Sequence, residues 1–278
     1  MPTCFDVEIA DGIATLRLNR PEAYNTMVPE FWFELPELVL ELDRSGDVRA
    51  LILSSTGKHF CAGMDLGVFT GGTGSLLGGD DVEEIGRKRA ALFDTVLRLQ
   101  DSFTALERAR MPVLAAIQGG CIGGGVDMVC AADMRYATKD AFFCVQEINI
   151  GMTADVGTLQ RLPKLVPDGI AREWAYTGDR ISAERAKAAG LVNEVFDDHE
   201  QLLEGVREIA GRIAAKSPLA IWGTKEQVLY ARDHSVVDSL RHMAGWQSGM
   251  FQPGDMMEEF AAKSEGRIES HAPLHRRP

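Results

Sequence analysis

The sequence predicts an α/β core followed by a largely helical C-terminal part. Three observations predict it: an alternating apolar pattern at the start, two short continuous apolar runs flanking an amphipathic stretch, and helix signals that dominate after about residue 156. Phe5, Val7 and Ile9 alternate with polar residues, Asp11-Gly12 breaks the pattern, and Ala14, Leu16 and Leu18 resume it, so residues 4–19 read as a β-hairpin. Pro29 can open a helix through about Leu42, which Pro36 should kink or interrupt because proline has no N–H for the helical ladder. The apolar runs 50–53 and 113–117 read as strands buried on both faces.

Between them lies the most flexible stretch of the sequence, the glycine-rich segment 71–79. A helix over 82–108 follows from apolar positions Ile85, Leu92, Val96, Leu99, Phe103 and Leu106. One more strand is expected at 192–195, then helices near 199–216 and 218–240. Neither a solenoid repeat nor a linker between independent domains is visible, which places the core at 1–198 and a C-terminal helical region at 199–278.

With 278 residues, 45 % hydrophobic and 25 % charged, the chain can bury a large core. Its 29 basic and 41 acidic residues give a net charge of −12, which argues against a nucleic-acid partner or an anionic membrane. Cys4, Cys61, Cys121, Cys130 and Cys144 are odd in number and lack C-x-x-C spacing, so reduced core thiols are expected rather than disulfides or zinc. The N-terminus has no basic and apolar leader pattern, and His-Arg-Arg-Pro at the other end matches no peroxisomal or ER address. A cytoplasmic protein is the expectation.

Two glycine-rich turns follow the two buried runs. The second, Gly119-Gly120-Cys121-Ile122-Gly123-Gly124-Gly125-Val126-Asp127, is not a dinucleotide fingerprint: its last three glycines are consecutive, and Asp127 stands where a pyrophosphate would be repelled. The same backbone suits a different anion, because the N–H of Gly124 or Gly125 can face an enolate oxygen at close range. The first turn is Gly57-Lys58-His59-Phe60-Cys61-Ala62-Gly63-Met64-Asp65-Leu66. Alone it reads as a strand-to-loop turn, with Asp65 a helix cap and His59 a surface residue. Glu147 and Asp155 lie farther on, in Gln146-Glu147-Ile148-Asn149-Ile150-Gly151-Met152-Thr153-Ala154-Asp155. Carboxylates beside exposed backbone N–H groups suit proton transfer next to an activated carbonyl. Taken singly, Asp127 also reads as a first-turn helix acid and Asp155 as a helix N-cap.

Several stretches together resemble the crotonase (enoyl-CoA hydratase/isomerase) superfamily. They are Leu18-Asn19-Arg20-Pro21-Glu22-Ala23-Tyr24-Asn25, the turn at Phe60–Leu66, the Gly123–Asp127 turn, Gly157-Thr158-Leu159-Gln160-Arg161-Leu162, Thr177-Gly178-Asp179-Arg180-Ile181-Ser182-Ala183 and Ala189-Gly190-Leu191-Val192-Asn193-Glu194-Val195. The resemblance covers about residues 5–250. It implies an α/β spiral of ββα units with a C-terminal helical trimerisation region, hence a homotrimer or a dimer of trimers. It also implies an acyl-CoA thioester substrate, with coenzyme A part of the substrate and no separate cofactor or metal. The oxyanion hole would be Met64 and Gly124, with Ala62, Gly63, Asp65, Leu66 and Gly125 as substrate-binding residues. Lys58 and Lys225 are candidates for the coenzyme A phosphates.

Hydratases of the superfamily use two glutamates, at positions matching Asp127 and Glu147, and usually carry a small residue where this chain has Asp155. The set Asp127, Glu147 and Asp155 resembles the dienoyl-CoA isomerase branch instead. Arg232-Asp233-His234-Ser235-Val236 resembles that branch too. The chemistry is consistent with three acids: moving two double bonds from the 3,5 to the 2,4 positions removes a proton at C2 and adds one at C6, too far apart for one carboxylate. Glu147 is assigned the C2 proton and Asp155 the C6 proton, with the reverse assignment open, and Asp127 would tune their charges or position the chain. The alternatives are a 2-enoyl-CoA hydratase using Asp127 and Glu147, and a non-catalytic RNA-binding homologue, which the acidic surface disfavours.

Overall fold

The computed structural model describes residues 2–68 and 84–278. The glycine-rich segment 71–79, singled out in the sequence, lies outside the described residues.

Strands β1 (Phe5–Ala10) and β2 (Ile13–Leu18) form the expected antiparallel hairpin, turned at Asp11 and Gly12, which both take positive φ (54° and 73°). Further strands follow at Ala50–Ser55 (β3), Val113–Ile117 (β4), Gly120–Ile122 (β5), Met134–Thr138 (β6), Phe142–Cys144 (β7), Ile181–Ser182 (β8) and Glu194–Phe196 (β9). A six-stranded sheet runs β1-β2-β3-β4-β6-β9, parallel after its first pair, and a small sheet runs β5-β7-β8. The buried runs therefore became β3 and β4. Strands β5 to β8 carry no signal of their own in the sequence, because each is short or polar-edged and is held by partners distant in the chain.

Both faces of β3 are covered, as its unbroken apolar run requires. Leu51 and Leu53 join the larger core, with Phe31 and Trp32 of α1 (Phe31–Ser45) and Phe103 of α2 (Ile85–Arg108). Ala50 and Ile52 face the other way, where Leu202, Val206, Ala210 and Ala214 of α7 (His199–Ala214) complete a second cluster. Three shorter helices, α4 (Thr158–Leu165), α5 (Asp168–Thr177) and α6 (Ala183–Ala189), precede it, and α3 (Gly124–Cys130) follows β5.

Three helical expectations need correction. Helix α1 starts after Pro29 and passes through Pro36 without ending. Proline there leaves the Trp32 carbonyl without its ladder donor, and the Ser102 hydroxyl of α2 donates to that carbonyl at 2.8 Å. Helix α2 buries Leu99, Phe103 and Leu106, but Ile85 and Leu92 are exposed, so its apolar stripe reaches the core only in its second half. The helix expected over 218–240 is two, α8 (Pro218–Asp233) and α9 (Val236–Met250), with the Ser235 hydroxyl capping the second through Asp238 N–H. Helix α10 (Pro253–Glu265) is the last among the described residues.

Candidate active site

The two glycine turns meet because the chain after β3 runs beside β5. Phe60 N–H donates to Gln118 O, Cys61 N–H to Gly120 O, and Ile122 N–H to Cys61 O, at 2.9–3.1 Å. The His59 Nδ1 accepts from Gly120 N–H at 2.9 Å, so this half-buried ring helps to hold the turns together and burial lowers its pKa. Gly63 sits at φ 87°, and a Cβ there would stand 2.9 Å from the Ile122 carbonyl, so a larger residue would push the loops apart. Met27 pins the next residue in place by donating to Gly63 O and accepting from Asp65 N–H.

These contacts leave Met64 N–H and Gly124 N–H facing the same space, with no protein acceptor for either among the described residues. Two free donors on rigid backbone can hold a developing oxyanion without reorganising. The space between them is a cavity of about 500 Å³, walled by Thr26, Trp32, Met64, Ile122, Glu147 and Asp155 and floored by Ala62, Gly63 and Gly124.

Glu147 enters on the 3₁₀ turn Gln146–Ile150, closed by Met152 N–H on the Glu147 carbonyl. Its Oε1 lies 3.0 Å from where a Cβ of Gly123 would be, so glycine at φ 53° is what lets the carboxyl lie against the Gly123–Gly124 turn. The other oxygen is buried without a hydrogen-bond partner. Burial, then the charge of Asp127, push its pKa up to about 7. Asp155 stands at the exposed rim of the same cavity, yet enough protein surrounds its carboxyl to raise its pKa as well.

Asp127 is placed differently. It is fully buried and does not line the cavity. One oxygen accepts Thr158 N–H at 2.5 Å, capping α4, and the other has no hydrogen-bond partner. Burial raises its pKa to about 6 despite the Thr158 contact. It thus touches the other acids through charge rather than through the cavity.

Of the remaining sequence candidates, Asp65 and Gly125 are not on the cavity wall among the described residues. Asp65 accepts from the Thr26 hydroxyl and from Gly67 N–H, and these contacts lower its pKa and hold the turn. Leu66 opens the short 3₁₀ turn Leu66–Val68. Gly125 packs so tightly on Cys61 that a Cβ would lie 3.1 Å from its carbonyl. All five cysteines are buried and free, and burial raises the pKa of Cys61 and Cys130 to about 12, which suits packing rather than reactivity.

Lys225 cannot serve a phosphate: its buried ammonium already donates to Leu106 O, Met111 O and Asp133 Oδ2 at 2.8–3.1 Å. Lys58 is exposed and lines a smaller cavity with His59, Asp140 and Arg180, next to the first one. Sequence reasoning missed Thr26, Trp32, Ile122 and Arg180 as wall residues. Arg180, its guanidinium 4.5 Å over the Phe142 ring, lay within a family motif and so had a signal. Trp32 had none, since it reads only as core.

A family model described as enoyl-CoA hydratase/isomerase matches residues 8–264. The chain is 42 % identical over 255 residues to the mitochondrial Delta(3,5)-Delta(2,4)-dienoyl-CoA isomerase of Homo sapiens, covering 91 % of this chain and 76 % of that one. It is 41 % identical over 259 residues to the peroxisomal Delta(3,5)-Delta(2,4)-dienoyl-CoA isomerase of Arabidopsis thaliana, covering 93 % and 92 %. Among solved structures, the enoyl-CoA hydratase of Bacillus anthracis superposes with a TM-score of 0.83 at 28 % identity, over 99 % of each chain. The chain therefore belongs to the enoyl-CoA hydratase/isomerase (crotonase) superfamily, as a dienoyl-CoA isomerase-like enzyme of it.

Proposed function

We propose that the protein converts 3,5-dienoyl-CoA to 2,4-dienoyl-CoA, in the breakdown of fatty acids whose double bonds start at odd positions. The observation that carries this reading is the pair Glu147 and Asp155 in one cavity, beside the unpaired N–H groups of Met64 and Gly124. Glu147, against the oxyanion turn, takes the proton from C2. The electrons of that C–H bond move into a dienolate whose charge rests on the thioester oxygen, held by Met64 and Gly124. Asp155, at the rim, gives its proton to C6 as the dienolate electrons shift, which leaves double bonds at C2 and C4. Burial in the cavity raises the pKa of both carboxyls, which supports a role for each in moving protons. Asp127 tunes them from behind by its charge.

The hydratase alternative needs Asp127 and Glu147 to share a water. Asp127 is fully buried with one oxygen on Thr158 N–H, which disfavours that role. Lys58 is the candidate for a coenzyme A phosphate. Exposed Val236, Val237, Leu240, Met257 and Phe260 on α9 and α10 support assembly of the C-terminal region into a homotrimer or a dimer of trimers. A cytoplasmic location stays our reading, to be tested by fractionation, whereas the two isomerases above are named for mitochondria and peroxisomes.

The test is an ultraviolet assay with 3,5-octadienoyl-CoA, with 2-octenoyl-CoA as hydratase control. A 2,4-dienoyl chromophore should form with the wild type, and Asp155→Asn should slow it by roughly a thousandfold. Consumption of 2-octenoyl-CoA alone, undiminished in Asp155→Asn, would instead identify a hydratase.

A further inference from the structure

We infer that Gln100 of α2 is a positioning residue for Asp155, holding the backbone from which the C6 acid projects; this rests on the isomerase reading above. The Gln100 side-chain amide donates to the Asp155 carbonyl at 2.7 Å. Residues 153–156 belong to no helix or strand, and among the described residues this is the hydrogen bond that ties them to another element. Gln100 does not act alone. Thr104 and Glu107 follow it on the same face of α2, at i+4 and i+7. Both accept from the Arg161 guanidinium of α4, at 3.2 and 2.9 Å.

The Arg161–Glu107 pair is almost withdrawn from solvent, with side chains 11 % and 12 % exposed, so it is a firm joint rather than a surface contact. Gly157, at φ 135°, makes room for it, since a Cβ there would strike Arg161 Nη1. One stripe of α2 thus grips the far end of the Asp155 segment through Arg161 and its near end through Gln100. Glu147 has separate supports, its own 3₁₀ turn and the Gly123 contact. The two proton-transfer groups hang on different elements, so loosening one should leave the other in place.

The experiment separates the two transfers. Gln100→Leu, Gln100→Glu, Gln100→Lys and Asp155→Asn are assayed for 2,4-dienoyl-CoA formation and, in D2O, for deuterium exchange at C2 of 3,5-octadienoyl-CoA by mass spectrometry. Gln100→Leu and Gln100→Glu, which offer no donor at neutral pH, should lower kcat on the order of tenfold with KM within about twofold and C2 exchange at the wild-type rate. Gln100→Lys restores a donor of similar reach and should recover kcat to within about threefold. If Gln100→Leu does not fold, the Glu and Lys variants decide on the same criterion. Wild-type kcat in the donorless variants, with Asp155→Asn inactive, overturns the role of Gln100 alone. Loss of C2 exchange in step with kcat overturns it too, because α2 would then merely support the whole site. Full isomerisation by Asp155→Asn would bring down the assignment of the acids and this inference with it.

Discussion

Glu147 illustrates how position at a single residue sets chemistry. Its carboxyl, with a pKa of about 7, shares its surroundings with Asp155, whose pKa is also raised, so the pair is expected to work with one proton between them. Because Glu147 has to be ionised to take the C2 proton, kcat/KM should fall as pH drops through about 7. A rate unchanged down to about pH 5 would remove Glu147 from the role of base. Asp127 gives a stability prediction of definite sign. Its folded pKa of about 6 exceeds the ordinary 3.8, so its contribution is fully present below the ordinary value and is lost as pH rises through about 6. The shift corresponds to about 3 kcal/mol as an upper figure. Asp127→Asn, whose side-chain carbonyl can still accept Thr158 N–H, should therefore stabilise the protein by up to that amount at about pH 8 and by little at about pH 4. Urea titrations at the two pH values test this, and a variant less stable than wild type at the higher pH would contradict it.

At the scale of elements, the contact between α1 and α2 depends on a substitution of one donor for another. Pro36 cannot serve the Trp32 carbonyl, and the Ser102 hydroxyl does so from the neighbouring helix. Ser102→Ala should leave that carbonyl unpaired and cost about 1–3 kcal/mol. Adding Pro36→Ala, which restores a ladder N–H, should recover most of the loss, and chemical denaturation of the four proteins in a double-mutant cycle reads the coupling directly. Trp32 also walls the cavity that Glu147 and Asp155 line, so Ser102→Ala probes how far packing behind the candidate site reaches substrate affinity. The sequence pointed to α1 and to a disturbance at Pro36, but not to its repair, because the compensating hydroxyl comes from a residue about seventy positions away.

At the scale of the molecule, the apolar surface gathers on the last helices. Val236, Leu240 and Phe260 are 75 %, 65 % and 60 % exposed, an apolar surface that the proposed assembly would cover. Light scattering after size exclusion should give a mass of three or six chains. Leu240→Glu with Phe260→Glu should lower that mass, and a monomeric wild type would refute the assembly reading.

Much of the candidate site was legible in the sequence. Glycine at 63, 123 and 124, with carboxylates at 147 and 155, is a local pattern whose chemistry follows from residue type, and the hairpin and buried strands follow from apolar periodicity. Family motifs fixed the order in which these pieces occur. What the sequence could not decide was proximity. Only the parallel approach of the 58–64 segment to β5 turns Met64 and Gly124 toward one cavity. Only the packing of α4 against α3 takes Asp127 out of that cavity and makes it a cap on Thr158. Residue identity determines which groups can carry a proton, whereas burial and distance, which are properties of the folded chain alone, determine which of them meet the substrate.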